Sequence, residues 1–216
     1  MLCFKQSLEK TYGHCYQHTD KAHDILHIRE VADNALTIVD DLKLDVNKEH
    51  LLLAVYIHDM FSNVDRDNHH TLAYNYAMNS SDIFFENIEQ RDRLDIAMAV
   101  REHRASHKGS YYSLLSEILA SADRGNINLE DMVVRSYLFN INKAKYPLTP
   151  SIDIKKHDEV VFDVYKHMHE KFGRVGYVKY PDLYIKWKGG ELEKLYADID
   201  NLTLGEVNKI IKSKLK

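Results

Sequence analysis

The sequence predicts an all-α protein, and three observations carry that expectation. Helix breakers are scarce: the 216 residues include 8 Gly and 3 Pro, too few for a turn-rich β architecture. Between Lys21 and Leu42 the apolar residues Ile25, Ile28, Val31, Ala32, Ala35, Ile38 and Val39 recur at the i, i+3, i+4, i+7 spacing of one helix face. The nearly continuous apolar run of Glu49 to Phe61, with the text LLLAVYIHDMF, is long for an inner strand and has helical neighbours, so it reads as a core helix.

Taken in order, Leu2 to His18 reads as an amphipathic helix with an aromatic face of Phe4, Tyr12 and Tyr16. Thr19-Asp20 is the expected N-cap of the Lys21–Leu42 helix, because short oxygen-bearing side chains satisfy the free amides of a first turn. Lys43 to Lys48 is a turn, and Ser62 to Asn68 (SNVDRDN) a polar loop. A helix starts at His69 and runs to Met78, and Ser80-Ser81 breaks it. Further helices are expected over Ile83–Gln90, Arg91–His103, Leu114–Asp123, Asn128–Asn142 and Asp153–Phe172, with a small basic loop at Ala105–Ser110. The tail after Gly173 carries Gly189-Gly190 and closes in a short helix over Leu204–Leu215. The break at Pro147 to Pro150 divides an expected core, residues 1–146, from a helical or irregular C-terminal extension, residues 147–216.

Composition narrows the function. An apolar fraction of 44% and a charged fraction of 29% are ordinary for a water-soluble domain. A chain of this length buries a core without disulfides or a structural metal, so a metal here would serve function. The net charge of −4 gives no global pull toward nucleic acid or an anionic membrane. Cys3 and Cys15 form no CxxC pair and read as reduced thiols. No secretory h-region and no apolar stretch of about 18 residues is present, so a cytoplasmic location is expected. P-loop, GxGxxG and GxSxG signatures are also absent. Trp187 in YIKWKGGELEK, among lysines, reads as a solvated surface rather than a partner patch.

The 13 His residues carry the chemistry through their placement. His58-Asp59 closes the buried apolar run, where both side chains are costly unless satisfied. A divalent metal satisfies both at once, although a hydrogen-bonded core pair would do the same. His23 and His27 are i, i+4 neighbours on one helix face. Asp123 ends an apolar helix, where the helix dipole disfavours an acid and a neighbouring cation would account for it. His69-His70 opens one helix and His103 closes another. Five helices thus each offer a ligand-type residue near an end, which is how helical bundles build metal sites.

The order H…HD…H…H…D resembles the HD-domain superfamily of metal-dependent phosphohydrolases. DKAHDILHIREVADNA is similar to its first-helix motif, VYIHDM to its name-giving motif and ASADRG to its closing Asp motif. The resemblance spans roughly Thr19 to Asn128 and implies an HD-domain helical bundle. It implies His27, His58, Asp59 and Asp123 as ligands, with His58 and Asp59 the catalytic pair. His69 and His103 match the histidines that hold a second ion in two-metal members, and His69 fits better than His70 because Ala73 and Ala77 follow it. The tract EHRASHKGSYYSLLSEILASADRG is similar to the bacterial subgroup that splits diadenosine tetraphosphate symmetrically, with Arg124 where that subgroup carries Lys.

The resemblance therefore implies a metal-activated hydroxide attacking phosphorus, with divalent transition metal, in two ions drawn from Fe, Mn, Zn, Ni or Co, as the cofactor. Asp59 is the natural bridge, having two oxygens, and neutral imidazoles leave the ions' positive charge intact for phosphate. Arg104, Lys108, Arg124 and His23 are the expected substrate-binding residues, and Arg66 is a further candidate; ordinary surface charge is the alternative for the cations. Tyr111 and Tyr112 stack on a base or simply pack. The expected partner is a small phosphorylated nucleotide, favoured as a dinucleoside polyphosphate, with no membrane and no nucleic acid. Nucleoside monophosphates, dNTPs and cyclic (di)nucleotides are alternative substrates, a non-catalytic nucleotide-binding module is the alternative function, and a homodimer is one expected assembly.

Overall fold

The computed structural model describes residues 2–17, 24–145 and 157–215, without the side chains of 142–145. The described residues form helices joined by turns and loops, with no strand among them. They divide into two compact units, Met1–Gly125 with Tyr180–Trp187, and Asn126–Lys179 with Lys188–Lys216. The expected boundary at Tyr146-Pro147 lies outside the described residues.

The first unit contains α1 (Leu2–Tyr12), α2 (Ile25–Asp41), α3 (Lys48–Ile57), α4 (His69–Asn79), α5 (Gln90–Glu102) and α6 (Leu114–Asp123). Its centre is α3: all seven residues from Leu51 to Ile57 are buried, as the all-round apolar run requires. Around it α2 packs on α3 and α6, α4 on α5, and α5 on α3 and α6. The buried stripe of α2 is Ile28, Val31, Ala32, Asn34, Ala35, Ile38 and Val39, the expected helical face plus one polar residue. The expected cap at Thr19-Asp20 lies outside the described residues. Asp24 caps α2, its carboxylate accepting from the amides of Leu26 and His27.

Of Ile83–Gln90, expected as a helix, residues 83–89 are turn and loop, and Gln90 opens α5. The reason is local. Asp82 accepts from the Phe84 amide and from the Tyr76 hydroxyl, and Arg93 donates to the carbonyls of Met78, Ser80 and Phe85. Side chains thus take the backbone partners that a helix would need, while Phe85 is anchored in the core.

The second unit contains α7 (Leu129–Lys145), α8 (His157–His167), which runs into a π-turn over Met168–Phe172, and α10 (Leu204–Lys214). Val133 and Tyr137 of α7, Val160, Val161 and Val164 of α8, and Val207 and Ile211 of α10 form its core. Thr203 and Glu206 build a reciprocal capping box at the start of α10. The Gly189-Gly190 pair lies within α9 (Asp182–Asp200), which continues through it. The backbone leaves helical geometry one residue earlier, at Lys188 (φ −130°, ψ 27°), which is where the two units divide. In the first unit Trp187 packs against the core and donates to Asp41, so it is a packing residue. No helix among the described residues is long and apolar enough to cross a membrane.

Candidate metal centre

Six of the singled-out side chains converge at helix ends of the first unit. His27 lies in the first turn of α2, His58 caps the C-terminus of α3 with Asp59 next to it, and His69 is the first residue of α4. His103 caps the C-terminus of α5, and Asp123 is the last residue of α6. His58, Asp59, His69 and His103 are buried.

Asp59 is the hub. Its Oδ2 lies 3.4 Å from His58 Nε2 and 3.9 Å from His27 Nε2. Its Oδ1 lies 3.1 Å from His69 Nε2 and 3.4 Å from His103 Nε2. Asp123 Oδ1 joins the first half, 3.1 Å from His27 Nε2 and 3.6 Å from His58 Nε2. The ligand-type atoms fall into overlapping groups of a size to hold metal ions: His27, His58 and Asp59; His58, His103 and Asp123; Asp59, His69 and His103.

The backbone fixes how these imidazoles are presented. The Nδ1 atoms of His58 and His103 lie 2.7 Å from the carbonyls of Val55 and Val100, and His69 Nδ1 lies 2.8 Å from that of Arg66. A carbonyl only accepts, so each Nδ1 carries the proton. In a neutral ring each Nε2 is then a lone pair aimed at the centre. The Val55 and Val100 carbonyls belong to last helical turns, where no intrahelical amide remains to take them. Sequence reasoning missed this device, since it belongs to helix-end geometry rather than to a residue type.

That arrangement is a direct test of whether a cation fits. His69 and His103 bring their Nε2 atoms within 3.3 Å of each other. Two lone pairs at that separation, both facing a carboxylate, repel unless a proton or a metal lies among them. His58 Nε2 is buried and makes no hydrogen bond. Divalent ions satisfy both conditions, and the donor set of imidazole and carboxylate suits transition metals.

The electrostatics agree. Burial works to raise the Asp59 carboxyl, but the His58 charge and the imidazoles of His103, His58 and His69 that face it outweigh burial and hold the group well below the usual carboxylate range. Asp123 is likewise held low against burial, by His27 and His58. Burial opposes an imidazolium at His58, yet Asp59 and Asp123 prevail and raise its pKa well above the ordinary value. In His103 burial wins and favours the neutral ring. With no metal, the centre therefore keeps a proton at His58, in the place where a cation would balance two carboxylates.

The two halves differ in access. The side chains of His27 and Asp123 are 16% and 19% exposed, whereas those of Asp59, His69 and His103 are 4 to 8% exposed. The centre is thus approached past His27 and Asp123. His70 stays outside the cluster, edge-on to the His69 ring, and burial drives its pKa down to about 4.

The expected substrate-binding cations part company. Lys108 is exposed. Arg104 is partly exposed and donates to the Asp67 carbonyl at 2.6 Å. Arg66 is exposed, and its carbonyl holds His69. The Arg124 side chain is 5% exposed, with its guanidinium on the carbonyls of His103 and Arg104. Tyr112 is 51% exposed and Tyr111 packs against the His107 ring. His23 lies outside the described residues. One supporting residue was not singled out from the sequence: buried Asn34, which donates to the Ala122 carbonyl beside Asp123. Its signal was a polar side chain within the apolar stripe of α2.

Residues 25–135, just over half of the chain, match the family model described as HD domain. No curated protein and no solved structure matches the chain.

Proposed function

The chain belongs to the HD domain family, and we propose that its histidine–aspartate centre holds two divalent transition-metal ions and hydrolyses a nucleotide, with a dinucleoside polyphosphate as the favoured substrate. Membership implies activity of the metal-dependent phosphohydrolase type, and the family's members bind divalent metals. The observation that carries the two-ion reading is the division of labour at Asp59. One oxygen faces His27 and His58, the other faces His69 and His103.

When bound, two such ions supply Lewis acidity toward phosphate oxygens and lower the pKa of water toward neutrality. The residues do the rest. Asp59 and Asp123 are the charged members of the set, and neutral imidazoles add affinity without cancelling the ions' charge. The Nδ1 bonds of His58, His69 and His103 hold each ring in place before substrate arrives. Exposure at His27 and Asp123 sets the side from which a phosphate group enters. Arg104 and Lys108, on the loop that follows α5, are the cations offered to the remaining phosphates. The preference for a dinucleoside polyphosphate rests on the similarity of the tract from Glu102 to Gly125 to hydrolases of that substrate.

Elemental analysis of the purified protein, joined to a hydrolysis panel, tests the reading. The panel holds diadenosine tetraphosphate, mononucleotides, dNTPs and cyclic dinucleotides. Close to two metal ions per chain and ADP released from the tetraphosphate are expected. Turnover of another member alone would move the substrate and keep the mechanism. No bound metal and no turnover after adding Mn or Fe would leave a nucleotide-binding module.

A further inference from the structure

Arg124 follows Asp123 directly, and its side chain is 5% exposed. A guanidinium that deep is costly unless its donors are used. They are: Nη1 donates to the His103 carbonyl at 2.8 Å and Nη2 to the Arg104 carbonyl at 3.2 Å, while Nη1 lies 3.7 Å from Asp123 Oδ2. The backbone is fixed as well. Arg124 is the C-cap of α6, and Gly125, at φ +63°, turns the chain away in a conformation that costs other residues strain.

We propose that Arg124 is a positioning residue that sets the separation between the two halves of the metal centre. The inference rests on the two-ion reading above. Asp123 Oδ1 faces His27 and His58, in the first half. His103 Nε2 faces Asp59 Oδ1, in the second. The two ligands end different helices, α6 and α5, and one guanidinium is bonded at the end of α5 while standing beside the Asp123 carboxylate. Its charge suits both places, because helix C-termini carry partial negative charge. Its planar fork spans two consecutive carbonyls, which a lysine ammonium cannot match. The His103 ring is fixed at Nδ1 by Val100, and its carbonyl by Arg124. Without the second tether, the residue that ends α5 can pivot relative to Asp123. Its charge also stands beside Asp123 Oδ2, while Asp123 Oδ1 faces His27. Arg124 was expected to bind substrate phosphate; bonded in this way, it reaches substrate only through the ligands.

The test uses the full-length protein, stripped of metal and titrated with Mn(II) by calorimetry, with electron paramagnetic resonance reporting a coupled Mn pair. The variants are Arg124→Lys and Arg124→Gln. The wild type is expected to take up two ions and show the coupled spectrum. Both variants are expected to keep one tight ion, bind the other roughly 10- to 100-fold more weakly and lose the coupled signal, the usual scale for outer-shell partners of ligands. Their metal-free helical circular dichroism is expected to match the wild type. Two ions with unchanged affinity and coupling in both variants would overturn the inference and leave the proposed function standing. Variants that fail to fold without metal would overturn it too, because Arg124 would then be holding the bundle rather than the ligand spacing. A wild type that binds fewer than two ions would remove the two-ion reading and the inference with it.

Discussion

Replacing Asp59 by Asn is the sharpest single perturbation of this centre. The amide keeps the shape and removes the charge of the one side chain that faces both halves, through Oδ2 to His27 and His58 and through Oδ1 to His69 and His103. In the wild type, free metal at about 100 times its dissociation constant stabilises the folded chain by about 2.7 kcal/mol per ion, or about 5 kcal/mol for two. For a protein of this size that is a rise in Tm on the order of 10–20 °C, read by differential scanning calorimetry with and without Mn(II). Asp59→Asn is expected to reduce the metal-dependent rise to a few degrees and hydrolysis by roughly 10³-fold, a loss of about 4 kcal/mol in transition-state stabilisation. The metal-free Tm should fall, because the stability that the low-held Asp59 carboxylate contributes is lost. His58 loses the carboxylate that chiefly supports its charge, and burial then favours its neutral form, so no orphan ion remains. His103→Gln removes one imidazole that faces Asp59 Oδ1 and should forfeit about half of the metal-dependent rise. A variant at position 59 that keeps the full rise and the full turnover would refute the bridging role.

The metal-free centre holds a proton at His58, so metal uptake should release it. Because the folded pKa is raised, His58 contributes stability that is complete below its unfolded value of about 6.5 and fades as pH rises through the folded value. Asp59 and Asp123, held low, contribute stability above about 4 that is lost as pH falls through their folded values. The metal-free protein is therefore expected to be most stable between those limits, whereas metal affinity rises with pH until His58 is deprotonated. A pH-stat titration with Mn(II) at neutral pH should register proton release, and none would contradict the assignment. In the second unit, Thr203→Ala removes the capping box of α10 and should cost about 1 kcal/mol in a thermal melt with hydrolysis unchanged.

What was legible in the sequence divides along a physical line. The helices of the first unit could be read wherever burial was one-sided or complete, as in α2, α3 and α6, because there the apolar pattern is the cause of the structure. Ile83–Gln90 has a helical composition, yet Arg93 and Asp82 take its backbone partners. No local pattern announces an arginine eight residues away. Gly189-Gly190 lie inside α9 although glycine costs about 1 kcal/mol in a helix interior. The helix absorbs that cost and departs from helical geometry at Lys188 instead. Asp24 caps α2, and because a Thr or an acid near a helix start fits a cap equally well, residue type alone does not say where the first turn begins.

The convergence of His27, His58, Asp59, His69, His103 and Asp123 was legible for a different reason. Each stands at or beside a helix end, and helix ends are where a bundle can bring side chains from different helices to one place while spare terminal carbonyls satisfy buried ring nitrogens. A sequence shows that placement as His or Asp at the edge of an apolar run. It does not show the atoms that make the placement work. The ring nitrogens are committed by carbonyls three residues upstream, and the gap between Asp123 and His103 is held by an arginine whose charge alone would suit a phosphate equally well. Residue type gives the donors, whereas the spare hydrogen-bonding capacity of helix termini decides which way they point. It follows that volume-conserving substitutions at Val55 and Val100, both in the core, should leave the ring orientations of His58 and His103 unchanged, because those residues hold the imidazoles through their main-chain carbonyls.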